Sequence, residues 1–314
     1  MKNKFALYLT IISYQLLAMS FFEGCAKEET TKIETASNAS SQNTVANDEV
    51  MLNNEFSQAV DEAIQVICNH KAIIKGASVD TSQITINVIT IYYGGNEAGG
   101  TKSRSGSDSI HLIGNWGTPG AIAHITMGCL NSPGYEVTYT KLTEVSVRLN
   151  GTVMLTNISG GYFQNISQGD SLVVNVKGSL MYTFNDQAAT VTYFPFNVNL
   201  RRTISMKNST LYATTEGDTA MNGFTNVSDW GTNRYQKNYY TSITTPVVQN
   251  ITDYTLSYNP LSGIKDIQNI AEPILCTYGV NSAGNAITSG TPYGVYVSWT
   301  NNGGAAESVV PYYY

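Results

Sequence analysis

Hydrophobic residues change their spacing twice along this chain. Phe5 to Phe22 is mostly apolar, and Thr30 to Asn47 is a Thr, Ser, Asn and Ala stretch with no apolar period. Leu52, Phe56, Val60, Ala63, Ile64 and Ile67 then recur at helical intervals, which predicts one amphipathic helix from Glu49 to about His70, with Asp48 placed to cap it. From Ile84 the period becomes two. Ile84, Ile86 and Val88 alternate with polar residues, and Ile89, Ile91 and Tyr93 continue on the opposite parity, as a strand interrupted by a β-bulge would.

Further strand-like runs follow, separated by Gly, Asn, Asp and Pro clusters: Ser109 to Gly114, Ala121 to Met127, Tyr135 to Leu149, Thr152 to Asn157, Ser171 to Phe184 and Ala189 to Ser205. Shorter runs lie at Asn238 to Thr244, Ile251 to Tyr258, Ile274 to Val280, Gly294 to Thr300 and Glu307 to Tyr314. Long strands joined by short turns imply antiparallel pairing, since parallel strands need crossover helices. The expected fold is mainly β: extended antiparallel sheets, sandwich-like, with one N-terminal amphipathic helix. A helix plus a large β domain would occupy 49–245. Pro246, Pro260 and a change of strand spacing set 246–314 apart as a C-terminal β region, leaving open whether it is a second small domain.

The N-terminus has a signal peptide's layout: Lys2 and Lys4, an apolar stretch interrupted by Thr10, Ser13, Gln15 and Ser20, then Gly24-Cys25. That stretch is short and polar for a membrane span, and no later segment is apolar enough to be a spanning helix. A small residue before cysteine resembles the lipobox of bacterial lipoproteins, although Phe22 and Glu23 depart from its usual aliphatic and small residues. The resemblance implies a signal peptide over 1–24, lipid on Cys25, a membrane partner through that anchor and a flexible tether over 25–48. A secretory signal with an incidental cysteine is the alternative. Lys27, Glu28 and Glu29 resemble the Lys-then-acidic signal that sends lipoproteins of the Bacteroidota to the outer face of the outer membrane.

A longer pattern points the same way. A Gly- and Arg-containing loop at Gly99 to Gly106, a strand, the turn Trp116-Gly-Thr-Pro-Gly120 and a strand ending at Met127 are similar to uncharacterised surface lipoproteins of Bacteroidota. The likeness runs through Val147 to Thr156, where Asn150-Gly151 reads as a turn between strands, and through Thr190 to Thr203, which holds Arg201-Arg202. It fades after about Tyr240, with only part of the family's C-terminal cysteine motif near Cys276. It implies export and β architecture and assigns no activity.

Composition narrows the chemistry. Of 314 residues 13% are charged, and the net charge of −6 leaves nothing to attract nucleic acid. If Cys25 carries lipid, then Cys68, Cys129 and Cys276 allow at most one disulfide, with the pairing open. Gly94 to Ser103 is no phosphate loop, because Thr101 stands where a glycine must precede Lys102; it reads as a glycine-rich loop between strands. No Gly-x-Ser-x-Gly elbow occurs, and Glu97, Asp108, Asp170, Glu216, Asp218 and Asp229 lie mostly in predicted turns. Nothing calls for a cofactor.

Three features remain. Trp116, Trp230 and Trp299, among 21 tyrosines, are candidate platforms for stacking on sugars, or else ordinary strand aromatics. Ser109, Ser171 and Thr219, each following an aspartate, resemble the Bacteroidota O-glycosylation acceptor, with turn chemistry as the other reading. His111 and His124 flank the 115–120 turn. A hairpin centred on Gly117 and Thr118 puts them opposite one another, as a packed pair or as two ligands for Zn²⁺ or Cu²⁺ that Asp108 would complete. The resulting expectation is a surface lipoprotein with a non-enzymatic binding or structural role toward glycans, a host surface or other surface proteins. The alternative is a hydrolase of extracellular polymers.

Overall fold

The computed structural model describes residues 38–96, 102–128, 134–139, 145–185, 192–252, 259–268, 272–301 and 304–312. Among the described residues, helix α1 (Asn38–Cys68) is followed by sixteen strands in a single antiparallel sheet. They are β1 (Ala77–Asp80), β2 (Val88–Asn96), β3 (Lys102–Ile113), β4 (Ile122–Met127), β5 (Tyr135–Tyr139), β6 (Val145–Asn157), β7 (Ser171–Asn185) and β8 (Phe194–Lys207). The rest are β9 (Thr210–Gly217), β10 (Thr219–Met221), β11 (Phe224–Thr232), β12 (Asn238–Asn250), β13 (Pro260–Gln268), β14 (Ile274–Val280), β15 (Gly294–Asn301) and β16 (Gly304–Pro311). Among the described residues the class is mainly β with one helix, as the alternating runs and the helical spacing of Leu52 to Ile67 predict.

Neighbours run β1-β2-β3-β4-β6-β7-β8-β11-β12-β13-β14-β15-β16. Two places on this path are shared by two short strands. β4 pairs with residues 108–113 of β3 and β5 with residues 102–105, so both bridge β3 to β6. β11 and β9 divide the space between β8 and β12 in the same way.

The sheet's inner residues bury α1 on every side. Between Asp48 and Cys68 every residue is buried except Ser57 and Gln65, which are half-buried. Leu52, Phe56, Ile64 and Ile67 enter a core with Ile89, Ile110, Leu149, Val176 and Leu200, and Phe56 meets Phe196 edge to face at 5.7 Å. The apolar stripe is therefore as predicted, but the polar face also lies inside, because cations on the sheet meet its acids.

Several boundaries differ from the pattern. α1 begins at Asn38 rather than Glu49, so 38–48 is helix and not tether. Packing supplies what periodicity lacks there: Val45 and Ala46 are buried, and Gln42 Nε2 donates to the Glu272 carbonyl at 3.0 Å. Ile84–Ile86 is a single 3₁₀ turn closed by Asn87 in the left-handed region (φ 62°), so the parity flip marks a turn and not a bulge. Tyr135 to Leu149 is two strands, β5 and β6, paired with each other. Lys102–Gly106, where the glycine-rich composition predicts a loop, lies in β3.

Asn150-Gly151, which reads as a turn in the sequence, sits inside β6. Gly151 (φ 137°) is bent there, and Asn150 Oδ1 accepts from the Gly134 amide at 2.9 Å. β9, β10, β11 and β13 were not legible as strands. β12 runs unbroken across 245–246, with Pro246 at an irregularity in its pairing to β13, a position where the missing amide is tolerated. Of the run at Ile251 to Tyr258, the first two residues are outside any strand and the rest lie outside the described residues.

Candidate functional site

Alternation along the strands decides which polar residues meet α1 and which meet solvent. Lys102 and Arg104 share a parity with Ile110 and point inward, as do Arg202 on β8 and Lys265 on β13. Lys102 Nζ binds Glu55 Oε1 at 2.9 Å and Gln58 Oε1 at 3.1 Å, and Arg104 reaches Glu62 Oε1 at 2.7 Å. Arg202 Nε binds Asp61 Oδ1 at 2.7 Å, and Arg234, between β11 and β12, binds Asp48 Oδ1 at 2.6 Å. Lys265 Nζ stands 3.6 Å from Glu49 and 3.8 Å from Asp229. Asp48, Glu55 and Glu62 recur every seven residues and so form one stripe on α1.

Burial and pairing set these carboxyls apart. Burial would raise Glu55, but the Lys102 ammonium and hydroxyl donors from Tyr139 and Tyr135 hold it below the usual range. Glu49 is pushed up to about 8, first by burial and then by the neighbouring Asp229 charge. Asp108, which accepts from the Tyr93 hydroxyl at 3.1 Å, is raised by burial to about 7. The cage binds helix to sheet, and it is sealed from any polymer outside.

The outer face offers an accessible site. Reading across β4, β6, β7, β8 and β11, the register aligns Thr126, Thr152, Ser179, Asn197 and Trp230 in one outward row, and Trp230 stands opposite Tyr240 of β12. The next row aligns His124, Met154, Lys177 and Asn199. Between these rows lies an open groove of about 450 Å³, with Trp230 at one end. A second concavity of about 340 Å³, lined by Pro195, Asn222 and Tyr240, begins on the other side of the same indole.

The structure separates the candidates. Of the three tryptophans only Trp230 faces this groove. Trp116 is buried in the main core and Trp299 is 7% exposed on β15, so both belong to packing. His111 does lie opposite His124, with Ile110 opposite Ile125, and both histidines are exposed on the outer face. Asp108 cannot join them, because it points the other way and is fully buried. Among the described residues no group of three His, Cys, Asp or Glu is placed to hold a metal.

Of the possible acceptors, Ser171 is exposed at the start of β7, Thr219 is half-buried in β10, and Ser109 is half-buried inside β3 with strands on both sides. Ser171 is the most open of the three. Cys68 and Cys276 are free, buried thiols, and burial pushes Cys68 up to about 11. Among the described residues, therefore, no disulfide is formed. Cys25, Lys27, Glu28, Glu29 and Cys129 lie outside the described residues.

The sequence reading missed Lys102, Arg104, Arg202 and Lys265 as partners of α1, and Met154 and Asn197 as outer-face residues. Two signals were available: the seven-residue spacing of the helix acids, and the parity that Lys102 and Arg104 share with Ile110. No protein-family model matches the sequence, and neither a curated protein nor a solved structure is significantly similar to it.

Proposed function

We propose that this chain is a lipid-anchored, surface-displayed protein of the outer membrane whose β sheet binds glycans at the groove beside Trp230. The observation that carries the reading is the outward row Thr152, Ser179, Asn197 and Trp230. A sugar ring has an apolar C–H face and a polar rim, so an indole at the end of a row of hydroxyl and amide groups offers each part a partner. The groove lining includes one histidine and one lysine but no carboxylate. A hydrolase would need an acid and base pair there. Glu49 and Asp229 do meet, around Lys265 inside the sheet.

The anchor rests on Gly24-Cys25 and the display on Lys27-Glu28-Glu29. A glycan array probed with the purified chain tests the binding: ligands retained by the wild type and lost by Trp230→Ala support it, and an identical profile for both overturns it. Labelled fatty acid incorporated by the wild type but not by Cys25→Ala supports the anchor. Protease that removes the protein from intact cells supports display, and full protection refutes it.

A further inference from the structure

We infer that His111, His124 and Met154 form a copper(I) site on the outer face of the sheet. The three residues occupy directly opposed positions on consecutive neighbours β3, β4 and β6: His111 faces His124, and His124 faces Met154. All three share the outward parity, the histidines exposed and Met154 half-buried. Opposed residues have Cβ atoms about 4.5–5.5 Å apart. Strands lie about 4.8 Å apart, so an ion above His124 has an imidazole on one flank and a thioether on the other.

The donor set selects the metal. Two imidazoles alone suit Zn²⁺ or Cu²⁺, but a thioether is a soft donor that favours copper(I) and adds little for zinc. Asp108, the carboxylate nearest in sequence that could add a hard oxygen ligand, lies on the inner face. Charge argues the same way. Lys177 is the next residue in the row after Met154, and its ammonium repels a divalent ion twice as strongly as a monovalent one at equal distance. β3, β4 and β6 are held by continuous pairing over this stretch, so the backbone positions of the three donors are preset.

The copper readout does not depend on glycan binding, although His124 and Met154 also line the groove at Trp230. The test is an anaerobic titration of the purified chain with copper(I), using the chromogenic chelator bicinchoninate as competitor. One equivalent is expected to be withdrawn from the chelator by the wild type. Met154→Leu, close in volume, is expected to weaken copper(I) at least tenfold while leaving Zn²⁺ affinity unchanged. The His111→Ala, His124→Ala double variant is expected to lose copper(I) altogether. X-ray absorption at the copper edge should show one sulfur neighbour that disappears in Met154→Leu. No withdrawal from the chelator, equal copper(I) affinity in wild type and Met154→Leu, or a sulfur neighbour that persists without Met154 overturns the assignment. These side chains are on the outer surface, and circular dichroism of each variant verifies that it is folded.

Discussion

Lys102 on β3 and Glu55 on α1 face each other across the interior at 2.9 Å, each almost wholly removed from solvent. Their pairing fixes the helix against the strand that the sequence pattern left in a loop. Truncating one partner of a buried pair strands the other charge, at a cost of about 3–5 kcal/mol. Glu55→Ala is therefore expected to lower unfolding free energy by that amount in urea titrations. Glu55→Gln with Lys102→Met should lose less than the sum of the two single changes by at least about 1 kcal/mol. Additive losses would show that the pair is not coupled. Because Glu55 titrates below its ordinary value, its contribution is present above the unfolded carboxylate range and is lost as pH falls through the folded value.

Glu49 works in the opposite direction. Raised to about 8, it keeps its proton in the folded chain while the unfolded chain releases it near 4.5. Stability is full below the unfolded value and falls as pH rises toward about 8, by up to about 1.4 kcal/mol per pH unit for one group. Asp108, at about 7, adds to the decline over the lower part of that window. Glu49→Gln imitates the protonated form, so its unfolding midpoint should vary less between pH 5 and 8 and exceed the wild type's at pH 8. A slope unchanged by the substitution would remove Glu49 as its source.

The tryptophans separate binding from folding. Trp230→Ala is expected to weaken glycan binding by about 2 kcal/mol or more, roughly thirtyfold, with little change in stability. Trp116→Ala should do the reverse, costing about 3–5 kcal/mol of stability, since its side chain is buried in the main core. Calorimetric binding and urea unfolding of the two variants check this. Equal loss of binding in folded forms of both would mean that the groove is not the site.

Gly151 tests the bend in β6. A Cβ there would stand 2.4 Å from the Ser179 carbonyl oxygen and 2.8 Å from Leu180 Cα, at a φ of 137°. Gly151→Ala is expected to cost about 1–3 kcal/mol, seen as a lower urea midpoint at unchanged slope. A midpoint equal to the wild type's would show that β6 straightens without strain.

Local periodicity alone determined the class of this protein. Alternation along Ser171 to Phe184 and Ile274 to Val280 made strands, the stripe from Leu52 to Ile67 made a helix, and the 115–120 turn with its flanking parity set His111 opposite His124. These follow from side-chain period and turn spacing, which a few neighbouring residues specify. The surroundings of each side were not local. Whether Glu55 and Glu62 faced water or cations depended on Lys102 and Arg104, more than forty residues away in the chain. Whether Trp230 or Trp299 was open depended on which face its strand turned outward, and Trp116, in the turn between β3 and β4, was closed off by packing. Buried charge is tolerated only where its counter-charge arrives, and a binding groove exists only where rows from separate strands align, so both were decided when the sheet wrapped the helix.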